Sequence, residues 1–281
     1  MAVIALTVHH ARPDAIAEGR AVAQWLSSEG HDVVSFSDDV GLVSAPDGPT
    51  VREAANVTQI DLVIALGGDG TVLRTIDLLG GASVPVLGVN LGQLGYLSEI
   101  EPNELRQSVT DFLEGKHQIE RRMLIEAQLP DGRRHLALNE VTIDRAHSGH
   151  TIRLDVSIDG RVFTPYEVDA LIVGTPTGST AYGYSAGGPI VAPTHQLLLL
   201  TPVSPHMLFD RTLVLEPTSA VEIAVAGHRP GSVIVDGREV AAVEPGATVR
   251  CTAAESAAHL VVFGLRDFPG LLKAKFKLSD R

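Results

Sequence analysis

The sequence predicts an α/β domain on a doubly wound parallel sheet, followed by an all-β, sandwich-like domain. Three observations carry this prediction. Up to residue 117, short aliphatic runs alternate with stretches of helical apolar spacing, the signature of βα units. From residue 118 the helical spacing disappears, and β-rich runs are separated by the turn pairs Asp131-Gly132, Asp159-Gly160 and Asp236-Gly237. Between these regimes, the β-branched run Ile60–Leu66 ends in Gly67-Gly68-Asp69-Gly70-Thr71, a strand-to-helix turn at the edge where open α/β sheets bind ligands. The expected division is 1–117 for the α/β domain and 118–265 for the all-β domain, with 266–281 packing back on the first.

The elements follow in order. Ala2–Val8 is a short buried strand. Pro13 and Asp14 open a helix that stops at Gly30, with Ile16, Val22, Trp25 and Leu26 as core candidates. Asp32–Phe36 is a second strand. Ser37–Thr50, with its Pro and Gly residues and several acids, reads as a loop. After the central strand and the Asp69 turn, Val72–Leu79 has helical spacing and stops at Gly80-Gly81. Val84–Asn90 is the next strand and runs into the glycine-punctuated loop Leu91–Leu97. Pro102–Glu114 is a helix ended by Gly115. In the second half, Leu138–Val141, Arg153–Ile158, Val221–Val225, Ser232–Val235 and Leu260–Leu265 read as strands. Phe268–Leu278, with Lys273, Lys275 and Lys277, is either a final helix or an extended tail.

Composition limits the function. With 281 residues, 44% of them hydrophobic, the chain can bury one large core or two ordinary ones. The net charge of −12 argues against nucleic acid and against an anionic membrane surface as partners. The single cysteine, Cys251, excludes an intrachain disulfide and a Cys-based metal cluster, and its alternating surroundings make it an inert strand residue. No signal peptide and no membrane span are readable, so a cytoplasmic protein is expected.

Three stretches carry chemistry. In the first, glycines let backbone N–H groups approach a phosphate at a helix N-terminus, which favours anions. An acid there repels the anion, so Asp69 makes sense as a group that accepts a proton or holds a hydroxyl beside the phosphate. A tight turn whose Asp caps the helix is the simpler alternative. The second is Asp169–Ile190, where the aliphatic strand Ala170–Gly174 feeds Thr175-Pro176-Thr177-Gly178-Ser179-Thr180-Ala181-Tyr182-Gly183-Tyr184-Ser185. Small hydroxylated residues and glycines offer donors with little bulk, which suits a sugar- or base-bearing ligand. The third is Asn139-Glu140 inside an apolar strand. Adjacent strand residues face opposite ways, so one of the two meets a core unless a ligand receives it. The P-loop and the dinucleotide G-x-G-x-x-G fingerprint are both absent.

Together these stretches resemble the NAD kinase family, with Val89-Asn90-Leu91-Gly92, Ser185–Pro189, Pro205-His206 and Arg211 adding to the match. The G-G-D-G element is shared with diacylglycerol, sphingoid and 6-phosphofructokinases; the T-P-T-G-S-T-A-Y run joined to A-G-G-P is far more specific. The resemblance implies phosphoryl transfer from ATP or inorganic polyphosphate to the adenosine ribose 2′-hydroxyl of NAD. It makes Asp69 the catalytic base, and places Gly67, Gly68, Gly70, Thr71, Arg74 and Asn90 at the nucleotide phosphates and their surroundings. It makes Asn139 and Glu140 an NAD-contacting pair. Asp169, Thr180, Ala181, Tyr182, Gly183, Tyr184 and Ser185 then hold the adenine and riboses, and His150 is a further NAD contact. The chain departs from the family pattern at Val168 and Ala170, where glycines are common, and at Thr212, where proline is. The resemblance further implies a divalent cation such as Mg²⁺ brought with the donor and a homodimer or homotetramer; the sequence itself carries no H-E-x-x-H motif and no EF-hand loop that would make a dedicated metal cage. A lipid or sugar kinase using the same turn, and a non-catalytic NAD-binding sensor, are the alternative readings.

Overall fold

The computed structural model describes the chain except residues 45–47, 93, 148, 265–266 and 279–281. It divides into two compact units, 1–121 with 258–281, and 122–257.

The first unit opens with β1 (Val3–Val8), α1 (Pro13–Ser28), β2 (Asp32–Ser35), α2 (Ser37–Val43), β3 (Arg52–Glu53), β4 (Leu62–Gly67), α3 (Asp69–Leu79), β5 (Pro85–Asn90) and α4 (Leu105–Leu113). Pro13 supplies the fixed φ of a first helical turn, and α1 buries Ala15, Val22, Ala23 and Leu26. All six residues of β4 are buried, as a strand covered on both faces requires. α3 ends where Gly80 adopts the left-handed conformation at φ 56°. The expected helix Pro102–Glu114 is a 3₁₀ turn over Pro102–Glu104 followed by α4.

One expectation is corrected. Ser37–Thr50 is not a loop throughout, because α2 occupies its first half. Asp38 and Asp39 lie in the first turn, where the helix dipole favours acids. Asp39 is also buried against cationic partners described below, a long-range cause that the Pro/Gly content of this stretch conceals. The rest of the expected loop includes residues 45–47, outside those described.

The second unit contains β6 (Gln118–Gln128), which starts in the first, then β7 (Arg134–Ala137), β8 (Glu140–Arg145), β9 (Ile152–Ile158), β10 (Arg161–Val168), β11 (Ala170–Gly174), the short α5 (Tyr182–Ser185), β12 (Leu198–Val203), β13 (Leu213–Leu215), β14 (Val221–Ala226), β15 (Gly231–Val235), β16 (Arg238–Val243) and most of β17 (Thr248–Val262). α6 (Phe268–Phe276) closes the chain in the first unit, so the C-terminal segment is a helix and not a tail. The end of the expected run Leu260–Leu265 lies outside the described residues.

In the first unit the strands order as the end of β17, then β5, β4, β1, β2 and β3, all parallel. In the second, β10, β9, β14 and β17 form one antiparallel set, and β13, β12, β11, β8, β15 and β16 another. Asp159-Gly160 and Asp236-Gly237 both have positive φ, the geometry of two-residue hairpin turns, and join β9 to β10 and β15 to β16. Each unit has its own core: Ile4, Leu6, Leu26, Ile64, Leu66 and Leu87 centre the first, and Ile125, Val141, Tyr166, Val173, Ile223 and Val233 the second. Cys251 is fully buried in the second, and burial pushes its thiol up to about 12.

Candidate active site

In the first unit, the carboxyl ends of β4 and β5 bring two glycine-rich turns together. Asp69 is the first helical residue of α3, behind the N-cap Gly68. Its Oδ2 accepts the Tyr96 N–H at 2.8 Å and its Oδ1 the Leu97 N–H at 2.9 Å. Both oxygens are therefore held by the second loop, and the carboxylate has one orientation. The close approach requires Gly95, since a Cβ there would lie 2.2 Å from Asp69 Oδ1. Gly67 is required in the same way, since its Cβ would lie 2.1 Å from Thr71 Oγ1. Gly68 and Gly70 differ: a Cβ at either meets nothing within 4 Å. Packing within the unit does not ask for glycine at these two places. What their missing side chains leave is open space at a helix N-terminus, where a phosphate is favoured.

Asn90 ends β5 and is nearly buried; it donates from Nδ2 to Glu101 at 2.8 Å and accepts the Gly92 N–H at 3.1 Å, so its amide shapes the second loop. Arg74, one turn into α3, forms a two-point pair with Asp39, at 2.8 Å and 2.9 Å, and donates to the Val8 carbonyl. His10 reaches the same Asp39 oxygen at 3.1 Å, and the Val8 N–H donates to it as well. Asp39 thus fixes Arg74 and the end of β1 at once. Sequence reasoning missed Asp39, His10 and Gly95; the only signal was the glycine punctuation of the second loop.

In the second unit, Asn139 and Glu140 are not inside one continuous strand as expected. The chain turns at Leu138-Asn139, and β8 begins at Glu140. The cause is Asp236, whose carboxylate accepts the N–H groups of Leu138, Asn139 and Glu140 at 2.7, 2.8 and 3.1 Å. In the sequence Asp236 is visible only as half of a hairpin turn. The Thr175–Ser185 stretch packs on the same bend. Thr175 Oγ1 donates to the Leu138 carbonyl at 2.6 Å and accepts the Gly178 N–H at 3.1 Å. A Cβ on Gly178 would sit 2.1 Å from the Asn139 carbonyl oxygen. Ser179, nearly buried, bonds both the N–H and the carbonyl of Val191.

Burial, with the nearby Asp236 charge adding to it, raises the Glu140 carboxyl to about 8. Glu140 is 8% exposed, and its Oε2 is buried with no hydrogen-bond partner among the described residues. Asp169, just before β11, pairs with Arg145. Asp144 beside them is raised by burial and by Asp169, against the opposing effect of Arg145. Burial, and then Asp144 and Asp169, raise the phenol of the half-exposed Tyr182. Thr180 closes the 3₁₀ turn Thr177–Thr180, and Tyr182, Gly183, Tyr184 and Ser185 form α5 after Ala181. His150 is exposed and precedes Thr151, which with Arg153, Glu167, His228 and Arg229 lines a separate cleft of about 260 Å³. The structure therefore brings together Asn139, Glu140, Asp169 and Tyr182, and adds Asp144, Arg145 and Asp236; His150 is exposed outside that set. Among the described residues no group of three or more His, Cys, Asp or Glu is arranged to hold a metal ion, and no helix is long and apolar enough to cross a membrane.

Residues 4–117 match the family model for the ATP-NAD kinase N-terminal domain, and residues 138–263 that for the C-terminal domain. The chain is 37% identical to the NAD kinase of Heliobacterium modesticaldum, over 99% of each chain. It is 37% identical to that of Corynebacterium diphtheriae, over 88% of this chain and 81% of that one. Among solved structures, yeast NADH kinase complexed with NADH superposes with a TM-score of 0.88 at 26% identity, covering 100% of this chain and 89% of that one. An NAD kinase from Archaeoglobus fulgidus in complex with ATP shares the fold, with a TM-score of 0.74 at 22% identity, over 97% and 98%. Since the likeness to curated relatives runs the length of the chain and both domain models match in order, the chain belongs to the NAD kinase family of phosphotransferases.

Proposed function

We propose that the protein transfers a phosphoryl group from ATP or polyphosphate to the 2′-hydroxyl of the adenosine ribose of NAD, in the cytoplasm, with Asp69 as the base. The observation that carries this reading is the Asp69 carboxylate, oriented by two backbone N–H groups beside a helix N-terminus left open at Gly68 and Gly70. Phosphoryl transfer has a loose transition state, so positioning and charge stabilisation dominate the catalysis. A ribose hydroxyl is a poor nucleophile, and a positioned base contributes roughly 10²–10⁴-fold. Gly67, Gly68, Gly70, Thr71 and Arg74 are assigned to the donor phosphates and their surroundings, with Asn90 shaping the adjoining loop. Asn139, Glu140, Asp169 and Thr180–Ser185 are assigned to the adenine and riboses, and His150 to an outer NAD contact. The buried, unpartnered Glu140 Oε2 supports its assignment, because a ligand hydroxyl would satisfy it.

A divalent cation such as Mg²⁺ would neutralise the donor's phosphates. A homodimer or homotetramer is the proposed assembly. It rests on the family resemblance alone, and sedimentation measures it.

The test is incubation with NAD, Mg²⁺ and either donor, read by an NADP-specific dehydrogenase. NADP formation by the wild type, and none by Asp69→Asn that still binds NAD, supports the reading. Undiminished turnover in Asp69→Asn sinks it. The two donors run in parallel show which is used.

A further inference from the structure

The basic C-terminal helix has no place in the reaction described so far, yet it touches the loop that orients Asp69. Of its three lysines, Lys273 and Lys277 are exposed, whereas Lys275 is half-buried. The Lys275 ammonium lies over the Tyr96 ring, 4.7 Å from its centroid. That distance is within the range of cation–π attraction. Tyr96 is the residue whose N–H donates to Asp69 Oδ2, and its neighbour Leu97 donates to Oδ1. The chain leading toward α6 grips the same loop a second time, where the Phe263 N–H donates to Glu99 at 2.9 Å. Residues 96–99 are thus held at two points by the C-terminal segment, and they hold both oxygens of the proposed base. The Gly95 contact leaves little slack, since the space where a Cβ would stand is already filled by Asp69 Oδ1 and Ser98 Oγ. A shift of the Tyr96 backbone therefore becomes a shift or loss of a hydrogen bond to Asp69.

We propose that Lys275 is a positioning residue for phosphoryl transfer, fixing the Tyr96 ring and, through the Tyr96 and Leu97 N–H groups, the orientation of the Asp69 carboxylate. The proposal rests on the reading of Asp69 as the base. It assigns the basic C-terminal segment a function within the enzyme rather than in binding an acidic partner. An arginine at 275 keeps the cation and the ring contact; an alanine removes them.

The test uses the full-length chain in the NADP assay, with Lys275→Ala, Lys275→Arg, Tyr96→Leu, the Lys275→Ala/Tyr96→Leu double variant and Asp69→Asn. A lost cation–π contact transmitted to the base should lower kcat by about threefold to tenfold. KM for NAD should stay unchanged in Lys275→Ala, and Lys275→Arg should restore kcat to within about twofold of wild type on the same scale. In the Tyr96→Leu background, Lys275→Ala should add nothing. Fluorotyrosine labelling gives an independent readout, because the chain has four tyrosines. The ¹⁹F resonance that disappears in Tyr96→Phe should move in Lys275→Ala and return in Lys275→Arg. Wild-type kcat in Lys275→Ala overturns the proposal, as does an arginine variant as slow as the alanine one. Independent, additive losses in the double variant overturn it too. Full activity of Asp69→Asn overturns the catalytic reading instead, and the two failures are separate because only the second involves that variant.

Discussion

Gly95 and Asp69 meet at a distance that excludes any side chain at position 95. Gly95→Ala must displace either the carboxylate or the loop that donates to it. Turnover should fall by roughly tenfold to a hundredfold, part of what a misplaced base costs, while far-UV circular dichroism stays that of the wild type. Wild-type kcat in Gly95→Ala would show that the two-point grip on Asp69 is dispensable. Glu140 yields a second prediction, on stability. Its folded pKa of about 8 lies above the ordinary 4.5, so between those values the folded state binds more protons than the unfolded. The protonated form's contribution is complete below about 4.5 and is lost as pH rises through about 8. At about 1.4 kcal/mol per pH unit the penalty reaches roughly 4 kcal/mol at the top of the window. Glu140→Gln should therefore gain stability over the wild type progressively from pH 5 to pH 8 in urea titrations; parallel curves for the two proteins would refute this. At this scale legibility followed sequence distance. Asp69 announced itself because its glycines are adjacent to it. Gly95, 26 residues on, and Asp236, about a hundred residues from the N–H groups it holds, left no local trace of their contacts.

Strands and hairpins were legible because their causes are local: a β-branched run for β4, a left-handed glycine for the end of α3, and Asp-Gly pairs for two hairpins. α2 was not legible, because its sequence SDDVGLV is a poor helix by propensity and is flanked by turn formers. Tertiary contact decides there: Asp39 accepts from Arg74 on α3, from His10 and from the Val8 N–H of β1. The bend at Leu138-Asn139 was hidden for the same reason, since it is enforced from the β15–β16 turn. Asp39 has no exposed side-chain surface, and Arg74 has 29%. Removing one partner of such a pair leaves a half-buried charge uncompensated, at a cost of about 3–5 kcal/mol when fully buried. Allowing for the exposure of Arg74, Asp39→Asn should lower stability by about 2–3 kcal/mol, read as a urea midpoint shift. A double-mutant cycle with Arg74→Met should show coupling between the two positions, and additive losses would mean that the pair does not account for α2. KM for NAD should not change, because neither residue is assigned to that ligand.

The chain leaves the first unit after Arg121 and returns to it at Ala258, so that unit's parallel sheet is completed only when the last tenth of the chain is being made. The returning residues are not peripheral. Leu260, Val261 and Val262 are each at most 4% exposed, and His259 and Leu260 pair with Pro85 and Val86 of β5, the strand that carries Asn90 and the second loop. At roughly 2 kcal/mol per buried aliphatic side chain, these three contribute about 6 kcal/mol. That is comparable with the whole stability of an ordinary domain, about 5–15 kcal/mol. Two truncations should therefore behave differently. A chain ending at Ala257 leaves β5 as an unpaired apolar edge and should be insoluble, or soluble without cooperative unfolding. A chain ending at Gly264 keeps the strand and the Phe263–Glu99 bond but loses α6 and Lys275. It should fold, unfold cooperatively in urea, and bind NAD, yet turn over more slowly than the full chain by at least the factor lost in Lys275→Ala. A soluble, cooperative 1–257 chain would show that the returning strand does not complete the first unit. A 1–264 chain with full kcat would remove α6 from the catalytic apparatus while leaving the fold argument in place. The pair of truncations thus separates two tasks that meet in one C-terminal segment: completing the sheet that carries the catalytic loop, and holding that loop still.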